Sequence, residues 1–315
     1  MSAADGPRVG SWTSATGKPS VAIEPGFAGE PGFAGEPGFA GEPRPAIELV
    51  GLGYVYPDGT RALGGVDLVV PVGQRLAIVG QNGSGKSTLV RHLDGLLRPT
   101  EGRVVVDGAD AAGLKVAELA ARVGLVFQDP DKQIFAGSVR AEVSFGPRNL
   151  GRTGAALAAA VDGALAAVGL IEQASTNPYD LGYSRRKLLT LASILAMGTR
   201  TVVLDEPTTG QDARGVARIQ AVVAEVAATG RTVIAISHDM RFVASSFERV
   251  VVMRAGRVSI DGTPSEVFAE ANWPLLGATN LEPPLAARVG ARLGLGSTPT
   301  DAALIEAIAT RRAVR

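Results

Sequence analysis

The feature that most constrains this chain is a glycine-rich turn set between an apolar run and a helical pattern. Arg75-Leu76-Ala77-Ile78-Val79 leads directly into Gly80-Gln81-Asn82-Gly83-Ser84-Gly85-Lys86-Ser87-Thr88, and Leu89-Val90 open a helix-favouring stretch behind it. A strand–loop–helix unit is the arrangement that order demands. The glycines let successive backbone amides curl inward as an anion nest, and the helix behind them adds the positive end of its dipole. The spacing is that of a phosphate loop, in which Lys86 reaches the β- and γ-phosphates of a bound nucleotide and the Ser87 hydroxyl ligates Mg²⁺.

From Ile47 onward, short runs rich in Val, Leu and Ile alternate with helical segments, the order expected of a mainly parallel sheet covered by helices. Core strands are expected at Arg75 to Val79, Gly124 to Phe127, Thr201 to Asp205 and Thr232 to Ser237, with ligand chemistry at their carboxyl ends. An Ala-rich stretch without strand character reads as an inserted helical subdomain over about 135–198. The composition shifts again near Ala271, so 46–270 is expected to form the main domain and 271–315 a small helical extension. Residues 1–45 contain PGFAGE three times, from Pro25 to Glu42. A six-residue repeat with two Gly and one Pro sustains neither helix nor sheet ladder, and this segment reads as a disordered extension.

A second chemical element is Thr201-Val202-Val203-Leu204-Asp205-Glu206, an apolar strand ending in two carboxylates. Opposite a phosphate loop, Asp205 suits a Mg²⁺ ligand and Glu206 the group that polarises the attacking water. Asp205-Glu206-Pro207-Thr208, followed by Gly210-Gln211-Asp212 and Ser237-His238-Asp239, resembles the ATP-binding-cassette (ABC) family. The resemblance implies an α/β fold of the P-loop NTPase type, with a mainly parallel core sheet, an antiparallel β part and the inserted helices. It also implies ATP and Mg²⁺ as cofactors, and residue roles. Tyr56 would stack on adenine; Gln128 would touch Mg²⁺ and the lytic water; His238 would contact the γ-phosphate; Asp212 would cross a dimer interface. His92, on the helix behind the phosphate loop, is assigned no role, a packed or surface histidine being the commoner case.

Within that family, the segment Gln128-Asp129-Pro130-Asp131-Lys132-Gln133-Ile134-Phe135 and the turn Phe145-Gly146-Pro147 resemble the ATPases of energy-coupling-factor importers of vitamins or transition-metal ions. The resemblance implies three partners: a second ATPase, a transmembrane scaffold subunit and a substrate-binding membrane subunit. It places the chain peripherally on the cytoplasmic face of the cell membrane. One element departs from the family. Where a cassette carries Leu-Ser-Gly-Gly-Gln, which closes over the ATP of the opposite subunit, this chain has Leu181-Gly182-Tyr183-Ser184-Arg185. A tyrosine at a position of close backbone approach is expected to weaken that face, the alternative being that Ser184 or Arg185 supplies replacement contacts. With Lys86, Ser87, Gln128, Asp205, Glu206 and His238 all intact, a heterodimer with a partner bearing the usual signature is favoured over a homodimer.

Other classes are disfavoured. Lys plus Arg and Asp plus Glu both number 31, so no basic excess points to nucleic acid. The chain has no Cys, which excludes disulfides and thiolate chemistry. A soluble cassette switch would bring a second fused cassette or a long coiled coil, and a GTPase an Asn-Lys-x-Asp motif; neither is visible. Removing the residues before Pro45 is expected to leave melting temperature and nucleotide hydrolysis unchanged, because the repeat buries too little apolar surface to offset its own ordering. A large drop in melting temperature on truncation would show instead that Phe27, Phe33 and Phe39 dock on the domain.

Overall fold

The computed structural model describes residues 44–313; the repeat segment expected to be disordered lies, as far as residue 43, outside the described residues. The strands are β1 (Ile47–Val55), β2 (Arg61–Val70), β3 (Arg75–Val79), β4 (Glu101–Val106), β5 (Ala109–Asp110), β6 (Val123–Val126), β7 (Thr201–Asp205), β8 (Thr232–Ile236), β9 (Arg249–Arg254) and β10 (Arg257–Gly262). They form two sheets. An antiparallel one runs in the order β2-β1-β4-β5, and a larger one runs β10-β9-β3-β8-β7-β6. In the larger sheet β9, β3, β8, β7 and β6 are parallel and β10 is an antiparallel edge.

Most helices cover this sheet on one side, and the antiparallel sheet, together with the helix behind the phosphate loop, covers it on the other. Alternation along the strands makes that sandwich. Ala77 and Val79 of β3 join the core under the helices, with Val202, Leu204, Val233 and Ala235. Leu76 and Ile78 point the other way and pack with Val203, Ile234 and the inward residues of β1 and β2. Strands buried on both faces read as unbroken apolar runs, which is why β7 and β8 were conspicuous in the sequence.

The helices are α1 (Lys86–Leu93), α2 (Val116–Ala120), α3 (Val139–Asn149), α4 (Gly154–Val168), α5 (Tyr183–Met197), α6 (Ala213–Ala228), α7 (Met240–Ser246), α8 (Pro264–Val267), α9 (Trp273–Gly277), α10 (Leu285–Arg292) and α11 (Asp301–Ala313). The crossover from β6 to β7 carries α3, α4 and α5 and no strand, while α6 alone returns β7 to its neighbour β8. Residues 271–313 add α9, α10 and α11, tied to the body by Leu276, Leu281 and Ala287, which are buried in its core under the helices, with an exposed Arg241–Asp301 ion pair at 2.6 Å beside them. No helix among the described residues is long and apolar enough to cross a membrane.

Two strands end one residue earlier than their sequence patterns suggest. β6 stops at Val126 because the amide of Phe127 donates to Oε1 of Gln133, 3.0 Å away, instead of to a neighbouring strand. β8 stops at Ile236 because Ser237 turns the chain, its hydroxyl accepting from the amide of Asp239. In turn, α5 starts at Tyr183, a full turn before the apolar periodicity that begins near Arg186.

One buried charge opposes the fold. Asp94 follows the last residue of α1, where the helix dipole is negative, and burial pushes its carboxyl up to about 6; the amide of Leu96, donating at 3.0 Å, only partly offsets this. The folded chain thus keeps a proton there at pH values where the unfolded chain has released it, so stability falls as pH rises from the ordinary 3.8 to about 6. Asp94→Asn is expected to stabilise by about 1–3 kcal/mol above neutral pH. That gain should shrink as pH drops through this window, as thermal melts at pH 8 and pH 4 would report.

Candidate nucleotide site

Four adjacent parallel strands deliver the site. In the order β3-β8-β7-β6, their carboxyl ends lead respectively into the loop from Gly80, into Ser237-His238, into Glu206 and into Phe127-Gln128. Residues scattered over 160 positions therefore meet along one sheet edge, as expected of an open parallel sheet.

The phosphate loop is held in shape from beneath. Gly85, at φ +99°, opens α1, and a Cβ there would stand 2.6 Å from the carbonyl oxygen of Ala62 on β2. The amide of Gly256 donates to the Ser84 carbonyl at 3.1 Å, so the turn between β9 and β10 closes the loop from the other side. Inside the loop, Nζ of Lys86 donates to the carbonyls of Gly80 at 2.7 Å and Gln81 at 3.0 Å. Burial lowers the Lys86 ammonium from its usual range, against the pull of Glu206 and Asp205. The only cationic side chain of the loop is thus parked on carbonyls that a phosphate would replace with better acceptors. Thr88, in the first turn of α1, takes a 3.0 Å hydrogen bond with the Tyr56 hydroxyl. That contact brings the half-buried Tyr56 from the end of β1 to the loop; its ring meets Tyr54 edge-on, and Tyr54 meets the buried His92 in the same manner.

Asp205 and Glu206 are both buried, and burial raises both carboxyls. For Asp205, Arg91, the Ser87 hydroxyl, Lys86 and Lys187 pull the other way. Its Oδ1 is buried without a hydrogen-bond partner, as is the Ser84 hydroxyl. A buried acceptor left unpaired beside Ser87 fits a hard divalent cation, so Ser87 and Asp205 could hold Mg²⁺, with the exposed Gln128 two residues beyond β6 as a further oxygen ligand.

Glu206 is pushed up to about 7, chiefly by burial and further by Asp205, while the His238 amide, Lys86 and Lys187 pull it down. Its backbone sits at φ +49°, a left-handed conformation that costs a side-chain-bearing residue about 1–2 kcal/mol. The carboxylate is aimed by His238: the backbone amide donates to Oε2 at 3.2 Å and the ring Nε2 stands 3.1 Å from Oε1. Burial, then the charge of Lys86, lowers the His238 imidazole.

The altered signature stands at the head of α5, against the segment that follows Glu206. Leu181 is buried, Gly182 caps α5, and Arg185 is exposed. Ser184 donates its hydroxyl to Oε1 of Gln211 at 2.7 Å, within the same chain. Asp212, expected to cross an interface, accepts from the Gly215 amide at 2.7 Å and caps α6. Three further residues that sequence reasoning did not single out shape the site. Gln133 pins the strand end before Gln128, Arg186 joins α5 to Asp131 at 3.0 Å, and Lys187 reaches the backbone of the Glu206 loop.

Lys86→Ala is expected to abolish tight ATP binding, because no other side-chain cation stands in the loop, whereas Glu206→Gln should bind ATP and lose turnover by about 100-fold or more. Nucleotide titration together with phosphate-release assays separates the two outcomes. Unchanged hydrolysis in the Gln variant would remove Glu206 from the chemistry.

Comparison with known proteins agrees with this geometry. A family model described as ABC transporter matches residues 63–209. An energy-coupling factor transporter ATP-binding protein of Methanothermobacter thermautotrophicus is 39% identical over 260 residues, covering 82% of this chain and 83% of the relative. A putative ABC transporter ATP-binding protein of Methanosarcina acetivorans is 41% identical over 245 residues, 78% of this chain; the chain spans only 40% of that relative's length. Among solved structures, cbiO1 of Clostridium perfringens, part of an ABC transporter complex, superposes with a TM-score of 0.67 at 35% identity, over 80% of this chain and 99% of that one. With the phosphate loop, the paired carboxylates and the histidine assembled on this fold, the chain belongs to the ABC transporter ATP-binding family, alongside the ATP-binding proteins of energy-coupling factor transporters.

Proposed function

We propose that this chain is the ATP-hydrolysing motor subunit of a membrane importer of the energy-coupling factor type, for a vitamin or a transition-metal ion. It would work at the cytoplasmic face of the membrane as one half of an ATPase dimer, with a transmembrane scaffold and a substrate-binding membrane subunit. The observation that carries the reading is the convergence of Lys86, Asp205, Glu206 and His238 at the ends of three neighbouring parallel strands, with the Glu206 carboxylate aimed by His238.

The mechanism follows from what each group has available. Loop amides and Lys86 bind the β- and γ-phosphates, the ammonium leaving the Gly80 and Gln81 carbonyls for the phosphate oxygens. Tyr56 offers an aromatic face for the adenine, and such stacking contributes about 1–3 kcal/mol. Mg²⁺ held by Ser87, Asp205 and Gln128 would neutralise charge on the phosphate oxygens. Glu206, with a carboxyl raised to about 7, is suited to accept a proton from the attacking water, and His238, which orients that carboxylate, would also contact the γ-phosphate.

An exposed aromatic patch supports a membrane partner. Phe135 and Phe145 stack edge-on at 4.7 Å, 61% and 49% exposed, on the helical insertion just past Gln128. The buried Glu142 accepts from the amides of Phe135 and Ala136, and so fixes the patch relative to the loop that senses the nucleotide. Such a fixed apolar surface suits the scaffold subunit.

The heterodimer is favoured by the same signature residues. Ser184 is engaged with its own chain, and a tyrosine stands where a cassette normally lets the opposite nucleotide approach. A partner with the usual signature would then complete the site built on this chain's phosphate loop, while the second site stays weak. In the purified complex, Glu206→Gln is expected to remove most turnover, and the equivalent change in the partner much less. Equal losses would mean that Ser184 and Arg185 form a working signature and that the two sites are equivalent.

A further inference from the structure

Helix α5 carries a cation that the chemistry of phosphate binding does not call for. Lys187 is 3% exposed, and its ammonium donates to the carbonyl of Glu206 and, at 3.1 Å, to the carbonyl of Thr209. One turn earlier on α5, Ser184 donates to Oε1 of Gln211 at 2.7 Å, and Nε2 of Gln211 returns a bond to the Ser184 carbonyl at 3.1 Å. The Tyr183 ring closes the outer side: a Cβ at Gly210 would stand 2.6 Å from its edge. The first turns of α5 thus grip the segment 206–211 at four of its six residues, all within one chain.

We propose that Lys187 is a positioning residue for Glu206, pinning the segment 206–211 to α5, with Tyr183 and Ser184 forming the outer half of the same clamp. The left-handed backbone of Glu206 is what makes a pin necessary. At φ +49° the residue leaves the ladder of β7 after its amide has bonded Ile236, at 2.9 Å, and its buried carbonyl is left with one long bond, from the Thr209 amide at 3.3 Å. Lys187 supplies a second donor and ties down Thr209 with the same group. With an apolar residue in its place, the Thr209 carbonyl would lose its Lys187 bond, the Glu206 carbonyl would keep only the 3.3 Å bond from the Thr209 amide, and the backbone could relax towards the right-handed region. That relaxation swings the carboxylate away from His238. Two of the four altered signature positions acquire a purpose on this account: Tyr183 and Ser184 serve the Glu206 of their own chain, where the usual signature residues would face the nucleotide of the other subunit. The proposal rests on the reading of Glu206 as the water-polarising carboxylate.

The test uses the full chain in its assembled complex and measures amide exchange at Thr209 and Gln211, affinity for a fluorescent ATP analogue, and hydrolysis at saturating ATP. In Lys187→Met, exchange at both amides is expected to rise by about tenfold or more. Hydrolysis should fall by about tenfold or more with nucleotide affinity within about twofold of the original, since positioning acts on the transition state and not on binding. Lys187→Arg, which keeps the charge and the donors, should restore exchange protection and most of the turnover. Ser184→Ala covers the case in which the Met variant does not fold: it should speed exchange at Gln211 by several-fold with the melting temperature unchanged. Unaltered exchange over 206–211 in Lys187→Met or in Ser184→Ala would overturn the clamp, as would a loss of turnover matched by a loss of affinity. Should the unaltered complex bind ATP without hydrolysing it, the ATPase reading alone falls, and the exchange measurements still decide the clamp.

Discussion

The rest of the site depends on a backbone contact that leaves no room for a side chain. Below the phosphate loop, the carbonyl oxygen of Ala62 lies where a Cβ on either Gly85 or Gly256 would come within 2.6 Å. Gly256 also bonds backbone to backbone with Gly64 and Ser84. At this point β2 of the antiparallel sheet, the turn after β9 and the mouth of α1 touch directly. The dipole of α1 and the loop amides are thereby aimed into the space above β3, and the antiparallel sheet that carries Tyr56 is fixed against the sheet that carries the carboxylates.

Above that contact, charge is buried in proportion to its use. Lys86, Lys187, Asp205 and Glu206 are each under one-tenth exposed, an arrangement that is costly in water-free surroundings unless each group is paired. The lysines are satisfied by backbone carbonyls, and Oε2 of Glu206 by the His238 amide. Asp205 keeps an unpaired oxygen. Oε1 of Glu206, too, has the His238 ring at 3.1 Å but no firm hydrogen bond, and the two carboxyls, both raised by burial, would lose that penalty when positive charge arrives. The burial penalty on the unpaired Asp205 carboxylate is what a bound cation would relieve, which ties ligation to the end of β7.

Much of this was legible along the chain. The phosphate loop and the Asp205-Glu206 pair announce themselves because their chemistry is local: consecutive residues must supply amides, a cation and a hydroxyl to one phosphate group. The parallel strands are legible because burial on both faces leaves no polar residue within them, and β3 and β7 run over the predicted residues. Lys187 was not legible as a pin. It stands at the head of a run, Lys187 to Ala192, in which every residue is buried, and that charge bordering an apolar run was the one available signal. Its partners are the carbonyls of residues 19 and 22 positions away, and a carbonyl has no sequence identity to read. Gln133 and Glu142 escaped for the same reason, since both act on backbone amides.

The sequence by itself determined the fold class, the loop that receives phosphate and the identity of the two carboxylates, because these follow from periodicity and from chemistry confined to neighbouring residues. Only the tertiary structure decided what the altered signature is bonded to. Leu181 to Arg185 could be read from the sequence as a weakened face, but the bonds of Ser184 to Gln211 and the seat of Tyr183 on Gly210 arise between segments 27 residues apart. They exist because β7 is laid beside β8 and its exit loop is thereby brought under α5, a juxtaposition set by the packing of the whole sheet and not by any short stretch of the chain.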